Sequence, residues 1–324
     1  MVARESAETL NGMGSIAFIF PGQGSQYVGM AKDIAEHSSE AREIVAEADE
    51  ILGFSLSKVC FEGPEDELRQ TKNTQPAIFL HAIVLSKLYR GTDAAMAAGH
   101  SLGEYTALVH AGALQFQDGL RLVRLRGELM QQAGMEQQGT MAAVVGLDAA
   151  TVDQICGEAK QAGIVQSANF NSPGQIVISG SVDGVKKAME LAKSRGAKLV
   201  KELSVSGAFH SPLMASAQDG LKKALEQTEI RDAKIPVYAN VTANAVQKKS
   251  DIRVLLIQQL TNPVRWEESI KNMVKGGAST FVEIGPGKVL QGLIKRIDQS
   301  VETRGIDKYV DLKSVSHDGA YTGG

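Results

Sequence analysis

Cysteine is scarce in this chain of 324 residues: there are two, Cys60 and Cys156, far apart and outside any C-x-x-C pattern. That argues against a disulfide framework or a cysteine zinc site and suits buried thiols in a reducing compartment. A charge excess is also missing. The 34 basic and 37 acidic residues leave a net charge of −3, so no global field draws the chain to nucleic acid or to an anionic membrane. An anionic partner has to be met by a local patch. No apolar run approaches the roughly 18 residues that a bilayer span needs. The N-terminal MVARESAETLNGMG holds Glu5 and Glu8 and no apolar core of the secretory kind, which leads to the expectation of a cytoplasmic protein. No repeat of solenoid period is present.

What is present is ordinary globular composition, with 43% apolar and 22% charged residues. The length suffices for a large core, as one large domain or as a large domain carrying a smaller one. SIAFIF is a strand-length β-branched and aromatic run that stops at the glycine-rich PGQGSQ. YVGMAKDIAEHSSEAREIVAEADEIL and PAIFLHAIVLSKLYRG have helical spacing. DAAMAAGHS is a weak strand by propensity, favoured by the abrupt turn that follows and by Leu102, Tyr105, Leu108 and Val109 recurring at helical intervals after it.

The middle of the chain reads β-α-β-β-α-β: TMAAVVG, DAATVDQICGEAKQAG, VQSANF, QIVISG, SVDGVKKAMELAKSRG and KLVKELSV. That is the ferredoxin-like order. A small subdomain at 137–206 is therefore expected inside a large α/β domain made of 15–136 and 207–300, with 1–14 and 301–324 as flexible tails. The large domain resumes with GAFHSPLM, a helix to about Gln227, strands in IPVYANV and STFVEIG, and helices in PVRWEESIKNMVKGG and KVLQGLIKRI. Alternating strands and helices imply a mostly parallel sheet, whose ligands sit outside the carboxyl ends of the strands. PGQGSQ, GHSLG and EIGPG would gather there.

GHSLG at 99–103 admits two readings. It is a nucleophile elbow presenting Ser101, or a small-residue turn that lets a strand and a helix pack closely with Ser101 as an N-cap. GQG at 22–24 is likewise a strand-ending turn, an oxyanion donor or a phosphate cradle, although the Gly-Lys-Ser/Thr ending of a P-loop is lacking. Arg121, Arg124 and Arg126 on one helix would usually make a solvated face. His210 could be a histidine that merely flanks a helix.

Order along the chain favours the chemical readings. FPGQGSQ, NTQPAIF, GHSLGEY, RLVRLRG, NFNSPGQ, GAFHSPLM, QQLTNPVRW and EIGPGKVLQGL occur in succession from residue 20 to 293. The set resembles the acyltransferase family of fatty acid and polyketide synthesis, whose members move malonyl groups from coenzyme A to acyl carrier protein. The resemblance covers about residues 15 to 300 and implies a hydrolase-like α/β core with a ferredoxin-like insert, as read above.

The same resemblance implies roles. Ser101 is the nucleophile and His210 its base, because a neutral serine hydroxyl needs one within hydrogen-bond reach. A main-chain carbonyl near Gln259 orients the histidine. Backbone N–H groups of Gln23 and Leu102 receive the oxyanion. Arg126 holds the free carboxylate of a malonyl group by charge-assisted bonds. Gln75 lines the site, Phe209 crowds out a branching methyl, and His100 shapes the pocket or fills the turn. The expected reaction is a ping-pong malonyl transfer to holo acyl carrier protein, an acidic and transient partner, supplying fatty acid elongation. A stand-alone polyketide acyltransferase, a serine esterase or thioesterase, and a silent carrier-binding module are the alternatives; intact Ser101 and His210 argue against the last. No metal, redox cofactor, nucleic acid or membrane is implied, and a monomer is expected. The helix VKKAMELAKSRGAK offers Lys186, Lys187, Lys193, Arg195 and Lys198 as a candidate carrier face, or an ordinary solvated one.

Overall fold

A computed structural model describes residues 14–318. Most of the expected N-terminal tail and the end of the C-terminal one therefore lie outside the described residues. The chain starts with β1 (Ser15–Phe20), followed by the turn at 21–31 and two helices, α1 (Lys32–His37) and α2 (Ser39–Leu52). A single helix was expected here. Ser38 splits it: its backbone is extended and its Oγ accepts the Ala41 N–H, so it caps α2 instead of continuing α1. Two short helices follow, α3 (Leu56–Glu62) and α4 (Glu65–Leu68), then the buried α5 (Thr71–Leu88). Next come β2 (Met96–Gly99), α6 (Gly103–His110) and the long α7 (Phe116–Glu136).

The insert has the expected order: β3 (Gly139–Val145), α8 (Ala149–Ala159), β4 (Val165–Ser172), β5 (Gln175–Ser181), α9 (Val182–Ser194) and β6 (Leu199–Glu202). Its antiparallel sheet runs β4-β5-β3-β6, the ferredoxin-like arrangement. The chain then passes through a 3-10 turn at Pro212–Met214 into α10 (Ala215–Gln227), β7 (Val237–Tyr238), β8 (Ala245–Val246), α11 (Lys249–Gln258), α12 (Trp266–Lys275), β9 (Ala278–Ile284) and α13 (Val289–Ile297). It ends in β10 (Glu302–Ile306) and α14 (Tyr309–Asp318).

Those last two elements correct the expectation of a flexible tail from residue 301. β10 pairs in parallel with β9 from Glu302 to Ile306, and Ile306 is buried. Its sequence ETRGI is short, polar and without alternation, as an edge strand can be, so pattern alone does not reveal it.

The large sheet has the order β10-β9-β1-β2-β7-β8, parallel throughout except for the final β7–β8 pair. β1 is covered on both faces. Phe18 and Phe20 point into a core built with α2, α5, α6 and α7, while Ala17 and Ile19 join Trp266, Ile270 and Ile294 of α12 and α13. Burial on both faces explains a strand that reads as a continuous apolar run.

The small sheet divides its faces in the same way. Ala142, Val144, Ile176 and Ile178 pack on α8 and α9, whereas Met141 and Val177 belong to the main core. Strand β4 of the small sheet is tied to the large domain by backbone bonds to the segment just before α12, Phe170 N–H to Val264 O at 2.9 Å and Val264 N–H to Ala168 O at 2.8 Å. The second face of the small sheet is thereby held over the carboxyl end of the large one, and a cleft forms between them.

Candidate active site

The site begins with a turn too tight for side chains. A Cβ on Gly99 would sit 1.8 Å from the Gly103 carbonyl carbon, and one on Gly103 would sit 2.1 Å from the Phe20 carbonyl oxygen. The two glycines therefore let β2, α6 and the end of β1 meet at one point. Between them Ser101 adopts φ 51°, the left-handed region that a non-glycine residue takes only where its surroundings enforce it. Asn240 does the enforcing: its Oδ1 accepts the Ser101 N–H at 2.7 Å and its Nδ2 donates to Gly99 O at 2.7 Å. The strained elbow, not the N-cap reading, is what the structure contains.

His210 reaches this serine from the loop between β6 and α10. It too has a left-handed backbone, φ 56°, and Gln166 of β4 holds its carbonyl at 2.8 Å. Its Nε2 lies 2.8 Å from Ser101 Oγ. On the other side of the ring, Nδ1 lies 2.9 Å from Gln259 O and 3.2 Å from Asn262 O. Two carbonyls are acceptors only, so Nδ1 carries the proton and Nε2 presents its lone pair to the serine. Burial, and then the positive charge of Arg126, push the imidazole pKa from 6.5 down to about 3. At neutral pH the ring is uncharged, with Nε2 as its acceptor.

Arg126 enters from α7 and is wholly buried. Gly127 permits this, since a Cβ there would meet the α5 backbone at Thr71 O, 2.7 Å away. Nη1 donates to Gln75 Oε1 at 2.9 Å, and Nη2 donates both to Gln259 Oε1 at 2.9 Å and to Ser101 Oγ at 3.0 Å. Nε has no acceptor among the described residues. Burial lowers the guanidinium pKa, yet a group of that basicity stays charged. The neighbouring arginines do other work. Arg124 donates to Lys72 O at 3.0 Å, a carbonyl that would bond the N–H at position 76 were it not proline. Arg121 lies beside Asp118 near the surface.

Ser101, His210, Arg126, Gln75, Gln23, Leu102, His100 and Phe209 all line one cavity of about 210 Å³ between the two sheets. Gln259 stands behind it, fully buried, and thus not at a surface helix position. Met130, Met141, Val177, Leu203 and Val205 supply an apolar wall. Gly22 brings the Gln23 turn against the elbow, where a Cβ would lie 2.4 Å from His100 O. His100 does more than fill the turn: its Nε2 meets Asn171 Oδ1 at 2.8 Å, and its ring packs 5.5 Å from that of Trp266. The basic residues of α9 and the turn after it do not line the cavity. Lys187 is paired with Glu190 and Arg195 with Glu158.

Sequence reasoning missed Glu104, Asn240, Asn262 and Asn171. Glu104 is buried on the first turn of α6, where its Oε2 accepts the Asn240 N–H at 3.0 Å and Gln259 Nε2 at 2.8 Å. Burial raises its pKa to about 7, against the lowering pull of those two bonds and of Arg126. Its place within GHSLGEY was the available signal. An acidic residue three positions after the serine resembles an ordinary first-turn helix residue, however.

A half-buried serine, strained and bonded to a neutral histidine in a cleft at the carboxyl end of a parallel sheet, defines an enzyme of acyl transfer. The acyl transferase domain model matches residues 17–310. The chain belongs to that family. It is 48% identical over 294 residues, covering 90% of this chain and 93% of the relative, to the malonyl CoA-acyl carrier protein transacylase of Bacillus subtilis. Among solved structures, the acyl carrier protein S-malonyltransferase of Vibrio cholerae is similar, with a TM-score of 0.90 and 42% identity over 93% of this chain and 99% of that one. A malonyl-transacylase in complex with its type II PKS acyl-carrier protein matches with a TM-score of 0.91 and 40% identity, covering 94% and 99%. Among the described residues, no helix is long and apolar enough to cross a membrane.

Proposed function

We propose that this enzyme transfers the malonyl group of malonyl-CoA to the phosphopantetheine thiol of holo acyl carrier protein through a malonyl-serine. The observation that carries the reading is the position of Ser101 Oγ, 2.8 Å from a neutral imidazole and 3.0 Å from a buried guanidinium. The imidazole activates the hydroxyl. The guanidinium suits an acyl group that ends in a carboxylate, because such a group replaces lost hydration with charge-assisted bonds.

In the first half-reaction His210 Nε2 takes the Ser101 proton as Oγ bonds to the thioester carbon. The oxyanion is received by the N–H groups of Leu102 and Gln23. The carbon–sulfur bond then breaks, and the departing coenzyme A thiolate takes the proton from His210. The second half runs in reverse. The carrier thiol gives its proton to His210, its sulfur bonds to the ester carbon, and the carbon–Oγ bond breaks as Ser101 regains a proton. Both steps exchange an acyl group between nucleophiles, so the reaction as written needs no metal or redox group.

Arg126, backed by Gln75, holds the malonyl carboxylate in both halves, and Phe209 and His100 shape the space around the acyl α-carbon. The enzyme acts as a cytoplasmic monomer that meets its carrier transiently, without nucleic acid or membrane, and the product supplies fatty acid elongation. Mass spectrometry of the protein mixed with malonyl-CoA tests this. A malonyl adduct on the Ser101 peptide that moves to added holo carrier protein supports the reading. No adduct, or one lost only to water, refutes it.

A further inference from the structure

Glu104 lies beneath the site, buried, and the reaction described above does not use it. It touches neither the cavity nor Ser101 Oγ. Its carboxylate is nevertheless where three parts of the machinery converge. Oε2 accepts the Asn240 backbone N–H, and the Asn240 side chain clamps the Ser101 elbow. The same oxygen accepts Gln259 Nε2, which also donates to Ser101 O at 3.0 Å. Gln259 Oε1 in turn accepts from Arg126 Nη2, and its main-chain carbonyl accepts from His210 Nδ1.

An amide side chain can turn end for end at little cost unless its partners differ in kind. Here they do. Arg126 can only donate, so the oxygen of Gln259 must face it, and an acceptor is required at the opposite end. Glu104 Oε2 is one such acceptor and Ser101 O the other. Without Glu104 the NH2 keeps Ser101 O alone. The buried amide that holds Arg126 then carries an unmet donor and is less firmly fixed, which is costly in a buried setting. Glu104 and Arg126 make no direct ion pair; Gln259 relays between the anion and the cation.

We propose that Glu104 is a positioning residue that sets the orientation of the Gln259 amide, and through it the aim of Arg126 at a carboxylated acyl group. The proposal rests on the malonyl-transfer reading. It assigns to Glu104 a part in choosing malonyl over acetyl, since only the first acyl group uses Arg126. The acceptor function needs one oxygen with two lone pairs. A glutamine at this position supplies that oxygen, whereas alanine does not.

The test compares wild type, Glu104→Gln and Glu104→Ala, each checked for folding by thermal melting. kcat/KM is measured with malonyl-CoA and with acetyl-CoA, and holo carrier protein is the acceptor. Expected for Glu104→Ala is a fall of about ten-fold or more in the malonyl-to-acetyl ratio. Glu104→Gln should keep that ratio within about three-fold of wild type. A purely structural carboxylate would lower both substrates together and leave the ratio unchanged in Glu104→Ala, which overturns the proposal. Loss of the ratio in a folded Glu104→Gln also overturns it, since the acceptor is still there. If Glu104→Ala does not fold, Glu104→Asp replaces it: one methylene shorter, its carboxylate falls short of Gln259, and a wild-type ratio refutes the proposal. Wild type that forms no malonyl-Ser101 at all refutes the transfer reading instead, so the two failures are distinguishable.

Discussion

Arg126 Nη2 donates to Ser101 Oγ at 3.0 Å while its Nη1 is held by Gln75. A cation is thereby fixed beside a nucleophile whose base is on the other side. Replacing Arg126 by alanine should cost at least about 100-fold in kcat/KM for malonyl-CoA, the scale of two charge-assisted bonds. Activity toward acetyl-CoA should fall far less. Parallel kinetics with the two thioesters check this, and an equal loss for both would contradict a carboxylate-binding role.

The protonation of His210 carries a stability consequence with a definite sign. Its pKa is lowered from 6.5 to about 3, so between those values the unfolded chain binds more protons than the folded one. Stability contributed by His210 is present above 6.5 and lost as pH falls through the window. His210→Asn removes that dependence. The difference in unfolding free energy, wild type minus variant, should therefore grow from about pH 4 to about pH 6.5 in urea titrations. A constant difference would show that the imidazole is not depressed.

Phe209 lines the cavity and is buried next to the base. Phe209→Ser should open room at the acyl α-carbon and raise the methylmalonyl-to-malonyl ratio of kcat/KM by about ten-fold, within the 1–3 kcal/mol that a methylene-sized contact is worth. Competition between the two thioesters, read by mass of the carrier product, measures it.

Two glycines should respond in opposite ways. Gly99→Ala forces a Cβ to within 1.8 Å of backbone, with no flexible neighbour to yield, and should cost about 3 kcal/mol or more. Gly157, inside α8, has open space around its missing Cβ. Gly157→Ala should stabilise by up to about 1 kcal/mol through helix propensity. Melting curves of the two variants decide.

Removal of everything after Ser300 should be costly. Asp307 accepts Tyr27 OH at 2.8 Å and the Gly287 N–H at 3.1 Å, and its carboxylate lies 3.1 Å from the fully buried His81. The segment thus ties the Gln23 turn to the sheet edge. Asp307→Ala should cost about 2 kcal/mol, and the truncated chain should lose its cooperative melt. An unchanged melt would restore the view of this segment as a dispensable tail.

Local pattern carried most of the elements into view. The runs SIAFIF and STFVEIG read as strands because they are short, rich in β-branched and aromatic residues and bounded by glycine turns, and the β-α-β-β-α-β insert follows from the order of its strand-like and helix-like segments. Ser38 was hidden because a serine inside a helical pattern and one capping the next helix look alike until the backbone turns. β10 was hidden because an edge strand can be polar.

The site divides along a similar line. Residue type alone left Ser101, His210 and Arg126 with bland readings beside the chemical ones, and it was the resemblance carried by the ordered motifs that grouped them as nucleophile, base and anion holder. Covalent neighbourhood could not supply their mutual geometry, which joins residues 109 and 133 positions apart in the Ser101–His210 and Arg126–Gln259 contacts. The Gln259 carbonyl behind His210 was expected only through the family resemblance, and the second carbonyl, of Asn262, was not expected, because main-chain acceptors leave no side-chain signature. Above all, the charge states are products of burial. Histidine ordinarily titrates near 6.5 and glutamate near 4.5. It is the withdrawal of water around His210 and Glu104, which only the packed sheets accomplish, that moves one to about 3 and the other to about 7.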